Sequence, residues 1–310
     1  MAGRNYDRLE IKPFGEQLLR SGDLDPIYIA LTQLGLETYQ TYRWLLAYWA
    51  FYSAGTACHL SEKRGDDFWA GMLTAAENKE PLPWVTPRPW SDPKVTPYAA
   101  SERWPRGHER RHFRGPRCVD AVNKWRSTWE TPENLVRMIA FGTGALRSDT
   151  AHFVDLKRRA KLVPMFGDWI AFKIGDMLDR CGVVHVEFAF DEAFYDSPRD
   201  AALLHHAREK ERGDTEAFLC KDDKERIKWA VSDLSNHYAR LGLKAPPFQD
   251  RDVDLQELET IFCKWKSHLN GHYPLWNDVR EIREGVAPWV AHNATARDFL
   301  RCMPDEKVGF

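Results

Sequence analysis

The chain has 310 residues, 43% of them apolar and 29% charged, and a net charge of −2. That is the composition of a globular protein with room for one large domain or two modest ones. It excludes a membrane span, since no run reaches the roughly 18 apolar residues required, and the polar start MAGRNYDRLEIKPFGEQ carries no signal-peptide pattern.

Residues 25–60 read as helical, with Ile27, Leu31 and Leu34 and then Leu45, Trp49 and Tyr52 recurring at helical spacing. Gly35 is expected to split this stretch in two. Residues 66–78 predict another helix. Seven prolines between Pro81 and Pro105 exclude regular helix, and a loop of this length in a compact protein is often functional. Thr131 and Pro132 mark a helix start, as N-cap and first helical residue, for a helix running to Phe141. Further helices are expected at 150–162, 169–180, 198–212, 224–241, 255–269 and 277–284, with 183–190 extended. The expectation is an all-α chain, a single helical unit over 1–310, with a Pro/Arg-rich functional loop at 81–117 and a helix-hairpin-helix and carboxylate segment at 157–195.

Several chemistries lack their residues. There is no G-x-x-x-x-G-K-[ST] and no H-E-x-x-H, and the glycine-rich FGTGAL at 141–146 follows a helix, which does not suit a dinucleotide fingerprint. The six cysteines stand apart with no C-x-x-C, so reduced thiols and no metal site are expected. His205 and His206 point about 100° apart on a helix, which is poor metal geometry and predicts surface residues. Most of the 13 tryptophans are expected in the core.

Four stretches carry chemistry. Residues 101–117 hold six arginines against two glutamates, a local +4 in a chain of net −2. Arg106, Arg110, Arg111 and Arg114, with Glu109 among them, suit a phosphate-bearing ligand because guanidinium forks match phosphate oxygens. His108 and His112 are candidates to donate to that anion or to move protons. A solvated loop is the competing reading. Second, LVPMFGDWI at 162–170 spells helix, tight turn, helix. Its free backbone N–H groups at Gly167, with Lys157, Arg158, Arg159 and Lys173 nearby in sequence, suit DNA phosphates. An ordinary helix–helix turn competes evenly. Third, Glu187 lies within the apolar run VVHVEFAF, with Asp191 following. A carboxylate in apolar surroundings has a raised pKa and suits general-base work, against a solvent-facing residue on a strand edge. Fourth, Lys264 and Lys266 interleave with Phe262 and Trp265, a pattern for phosphate contact beside a stacking ring, against an amphipathic helix with lysines in water. The stripe containing Tyr48, Trp49 and Tyr52 reads more readily as core than as a base-stacking wall.

Together YWAFYSAGTACHLSE (48–62), AAEN (75–78), PRGHERRHFRG (105–115), FGDWIAFKIGDMLDR (166–180) and FCKWKSH (262–268) resemble the bacteriophage amino acid:DNA transferases, also described as α-glutamyl/putrescinyl thymine pyrophosphorylases. The resemblance covers roughly residues 25–290. It implies a two-lobed, all-helical fold distantly like helix-hairpin-helix DNA glycosylases. It implies a DNA substrate in which 5-hydroxymethyluracil, pyrophosphorylated by an upstream kinase, exchanges its pyrophosphate for an amino acid or polyamine. The setting it implies is the cytoplasm of an infected bacterium, with no membrane partner. In those glycosylases a catalytic carboxylate follows the hairpin glycine by about twenty residues, and Gly167 plus 20 is Glu187. This chain departs from them in carrying Glu for Asp there, and Trp169 where lyase-type members carry lysine. Tyr48, Trp49 or Tyr52 would stack on a flipped base, and the arginines would hold the pyrophosphate. No cofactor is then required, with Mg²⁺ on the pyrophosphate as the alternative. A glycosylase acting on a modified base, and a non-catalytic DNA-binding protein, are the competing functions.

Overall fold

A computed structural model describes residues 8–77, 113, 115–142, 150–188 and 190–305. The all-α expectation holds: helices dominate, and among the described residues the only sheet is a pair of three-residue strands. The chain divides into two compact units. One comprises Met1–Pro26, Phe188–Asn277 and Pro304–Phe310; the other comprises Ile27–Glu187 and Asp278–Met303.

The first unit is built on helices Ile11–Ser21, Asp196–Glu211, Asp223–Arg240 and Leu255–Leu269. Phe14, Leu18, Leu234, Tyr238, Ile261 and Trp265 meet in its core. Gly15 permits the closest approach: a Cβ there would lie 1.9 Å from the Tyr238 hydroxyl. Sequence signals set the helix ends. Asp222 accepts from the Glu225 amide, and Asp254 with Glu257 forms a capping box. His205 and His206 are buried, against the surface expectation. The Nε2 of His205 lies 2.8 Å from Asp233, which also binds Lys12, and the Nε2 of His206 lies 2.9 Å from the Ala217 carbonyl. Each polar ring finds a partner, so burial costs little.

The second unit is organised around helix Thr38–Phe51. All ten residues from Tyr42 to Phe51 are buried, so this helix is central rather than amphipathic. Trp44 stacks between Tyr48, at 5.0 Å, and Phe299, at 5.8 Å. Arg43 is the one cation on that buried face. It donates to the Ser61 carbonyl and to Glu133, the latter at 2.6 Å. The stretch at 25–60 breaks twice, at Gly35 as expected and again after Tyr52, whose positive φ of 53° ends the helix before Ser53 caps the next one. Thr131 caps helix Pro132–Phe141 as predicted. The predicted helix at 150–162 starts late: Thr150–His152 is a strand and Phe153–Lys161 the helix.

Candidate active site

Phe153, Leu156 and Ala160 bury one face of helix Phe153–Lys161. Helix Asp168–Arg180 follows and packs on it. Between them Val163 and Phe166 turn inward, and Phe166 meets Trp125 at 5.2 Å. Leu162 and Met165 stay exposed. Met165 takes a left-handed conformation, φ 71°, where glycine is the usual residue. Gly167 stands in open space before the helix start. The helix, turn, helix geometry read from the sequence is therefore present.

The basic residues beside this turn serve different purposes. Lys161 and Lys157 approach one carboxylate oxygen of Asp168, at 3.0 and 3.6 Å. The Lys161 hydrogen bond holds the Asp168 carboxyl below its ordinary range. Arg158 is exposed and pairs with Asp155. Arg159 turns inward and donates to the Ile139 and Ala140 carbonyls, closing the C-terminus of helix Pro132–Phe141. Lys173 is buried, which removes it from phosphate contact; its ammonium lies 3.7 Å from Asp176, which also accepts from the Tyr28 hydroxyl at 2.7 Å.

Strand Thr150–His152 precedes the first of these helices, and strand His185–Glu187 follows the second. They pair in parallel, with Thr150 opposite His185 and His152 opposite Glu187. Ala151 and Val186 fill the inner side. The alternation of a strand sends His152 and Glu187 to the outer side, where they are 71% and 53% exposed. Nδ1 of His152 lies 2.8 Å from Oε2 of Glu187. Glu187 therefore lacks the apolar surroundings expected of it; the apolar residues of its run belong to the opposite face. Asp179 anchors the second strand, accepting from the Val186 amide at 2.8 Å and lying 2.9 Å from His185 Nδ1. His152 was missed by sequence reasoning because it fell inside a predicted helix. Asp191 lies in the other unit, exposed and bound to Lys224 at 2.7 Å.

The aromatic candidates are core residues. Tyr48, Trp49 and Tyr52 are all buried. Tyr52 meets Tyr48 at 4.7 Å and Trp169 at 5.1 Å. Lys264 is a correction of the same kind. It is 5% exposed, and its ammonium donates to the carbonyls of Asp23 and Leu24, both at 2.6 Å. Lys266 is half-exposed and pairs with Asp200. Arg106, His108, Glu109, Arg110, Arg111, His112 and Arg114 lie outside the described residues. Two of their neighbours are described: Phe113 is buried, edge-on to Phe51 and stacked on Trp125, and the Gly115 amide donates to the Ala76 carbonyl. Among the described residues no group of three His, Cys, Asp or Glu is placed to hold a metal ion, and no helix is long and apolar enough to cross a membrane.

Comparison with known proteins bears on what this arrangement does. The family model described as "Amino acid:DNA transferase" matches residues 19–273. A protein of Pseudomonas phage PaMx11 named "Glycinyltransferase" is 37% identical, over 97% of this chain and 98% of its own. One of Delftia phage PhiW-14 named "Putrescinyltransferase" is 25% identical, over 93% of this chain and 80% of its own.

Proposed function

The chain belongs to the amino acid:DNA transferase family, and from that premise we propose that it replaces the pyrophosphate of 5-pyrophosphoryloxymethyluracil in DNA with an amino acid. The observation that carries the reading is the similarity to the phage protein named glycinyltransferase, which runs through nearly the whole of both chains. Glycine is the donor this favours over a polyamine, the relative named for putrescine being the more distant of the two. The substrate comes from an upstream kinase acting on hydroxymethyluracil DNA. The setting is the cytoplasm of an infected bacterial cell.

The chemistry divides into three tasks. The target base leaves the stack, which costs a few kcal/mol, while the exposed turn at Leu162–Gly167 with Lys157, Lys161 and Arg158 holds the backbone. The arginines between Arg106 and Arg114 stabilise the pyrophosphate as charge collects on it, a large term in such reactions. His108 and His112 stand in the same stretch. The donor's ammonium loses a proton before its nitrogen attacks the base's methylene carbon. We assign that step to the Glu187 end of the strand pair, in preference to Asp191, whose carboxylate is already neutralised by Lys224. No metal is needed where guanidinium groups carry the charge; Mg²⁺ on the pyrophosphate is the alternative.

The test is to incubate the protein with pyrophosphorylated hydroxymethyluracil DNA and glycine, glutamate or putrescine, then digest the DNA and analyse its nucleosides by mass spectrometry. A glycine adduct that disappears in Arg110→Ala is expected. Unchanged DNA with every donor refutes the reading, and abasic sites instead of an adduct assign the protein to base excision.

A further inference from the structure

We infer that His152 is a catalytic residue of the transfer: its imidazole takes the proton from the donor's ammonium, and Glu187 positions that imidazole. The inference rests on the transferase reading and specifies the atom on which the proton lands.

The register of the strand pair is the first observation. His152 and Glu187 are direct partners across it, and Nδ1 stands 2.8 Å from the carboxylate. The contact engages Nδ1, so Nε2 is the ring nitrogen left for a ligand. Among the described residues nothing binds Nε2, and the ring is 71% exposed, so a ligand reaches it freely.

A second pair on the same strands gives the contrast. His185 is hydrogen-bonded through Nδ1 to a carboxylate too, but that carboxylate, Asp179, accepts from the Val186 amide as well. Asp179 therefore has structural work: it fixes the second strand. Glu187 binds no backbone group among the described residues; its partner is the imidazole. As a surface ion pair it contributes about 0–1 kcal/mol to stability, which is little reason to place an acceptor against a histidine across three-residue strands. Orienting a base is a reason.

The step balances. The ammonium proton passes to Nε2 of His152. The freed nitrogen lone pair forms the N–C bond to the base's methylene carbon. The C–O bond breaks, and its electron pair leaves on the pyrophosphate. The imidazolium returns its proton to solvent.

Product formation with glycine and pyrophosphorylated hydroxymethyluracil DNA tests this in four proteins: wild type, His152→Ala, His152→Gln and Glu187→Gln. Removing a general base typically costs 10²–10⁴-fold, and that loss is expected in both His152 variants, including His152→Gln, which keeps a donor to Glu187. Added imidazole restores turnover to His152→Ala in proportion to its free base. Glu187→Gln loses less and gains nothing from imidazole. Wild-type turnover in His152→Gln, or a His152→Ala loss that imidazole leaves untouched, overturns the inference while the transferase stands. Absence of product in the wild type overturns the transferase reading and this one with it.

Discussion

Arg43 and Glu133 offer a direct test of how the second unit holds its central helix. The Arg43 side chain is 5% exposed, and its Nη1 lies 2.6 Å from Glu133, whose side chain is 17% exposed. Its Nε is committed to the Ser61 carbonyl at 2.9 Å. Breaking a buried pair by removing one partner costs roughly 3–5 kcal/mol, because the other charge is left without compensation. Two features reduce that here. Glu133 is partly wet, and Glu37 lies 4.0 Å from Nη2. Glu133→Ala is thus expected to destabilise the protein by about 2–3 kcal/mol, and Glu133→Gln, which keeps an acceptor without the charge, by about 1 kcal/mol. Replacing both partners by methionine leaves no buried charge but removes the Arg43 donor from the Ser61 carbonyl, and is expected to cost about 1–3 kcal/mol, less than the sum of the single-residue costs. Urea unfolding followed by far-ultraviolet circular dichroism measures each value, with equal m-values as the condition for comparing them. A cost below about 0.5 kcal/mol for Glu133→Ala, or additive single-residue costs in the double variant, refutes the reasoning.

Lys264→Met removes the ammonium donor from the Asp23 and Leu24 carbonyls, the first of which also accepts from the Tyr273 hydroxyl at 3.4 Å; it is expected to cost about 1–3 kcal/mol in a urea melt while the salt dependence of DNA binding stays unchanged. A slope reduced by about one would instead reveal a phosphate contact. Asp168→Asn releases Lys157 and Lys161 from a shared carboxylate, and is expected to tighten DNA binding and steepen its salt dependence in a fluorescence-anisotropy titration; equal or weaker binding refutes the assignment of the turn to DNA. Burial, with Lys63 adding to it, lowers His59 from 6.5 to about 4. The folded state therefore resists protonation that the unfolded chain accepts, so stability falls as pH drops from about 6.5 toward 4; thermal melts across that range should flatten in His59→Gln, and an unchanged slope shows that other groups carry it.

Helix boundaries were legible where local chemistry decides them. Thr131 followed by Pro132, and Gly35 between two periodic runs, mark ends that depend only on neighbouring residues. The short strands were half legible: the 183–190 run read as extended, but its partner at 150–152 read as helix, because three residues paired across more than thirty positions leave no periodic signal. Charge misled most. Lys173, Lys264 and Arg159 read as DNA contacts from their neighbours in sequence, yet each is turned inward to a carboxylate or a carbonyl. Sequence shows that a cation is present; whether its partner is water, phosphate or the protein's own backbone depends on packing between segments far apart in the chain.

That inward turning constrains how a chain of net charge −2 handles a polyanion. Its overall field does not gather DNA, so binding must come from local clusters. Beside the exposed turn, Lys157 and Lys161 are held by Asp168 and Arg158 by Asp155. Such pairs are worth little in water, so a phosphate displaces them at small cost, and counter-ion release adds to the gain. A departing pyrophosphate needs denser charge than two or three exchanged lysines supply. The stretch at 101–117, with its local +4, has it. Of its described residues, Phe113 is buried against Phe51 and Trp125, and the Gly115 amide donates to Ala76; both belong to the unit that carries the turn and the His152–Glu187 pair. On the function proposed above, backbone contact, leaving-group stabilisation and proton removal would draw on three separate segments, each with the residue type its task requires.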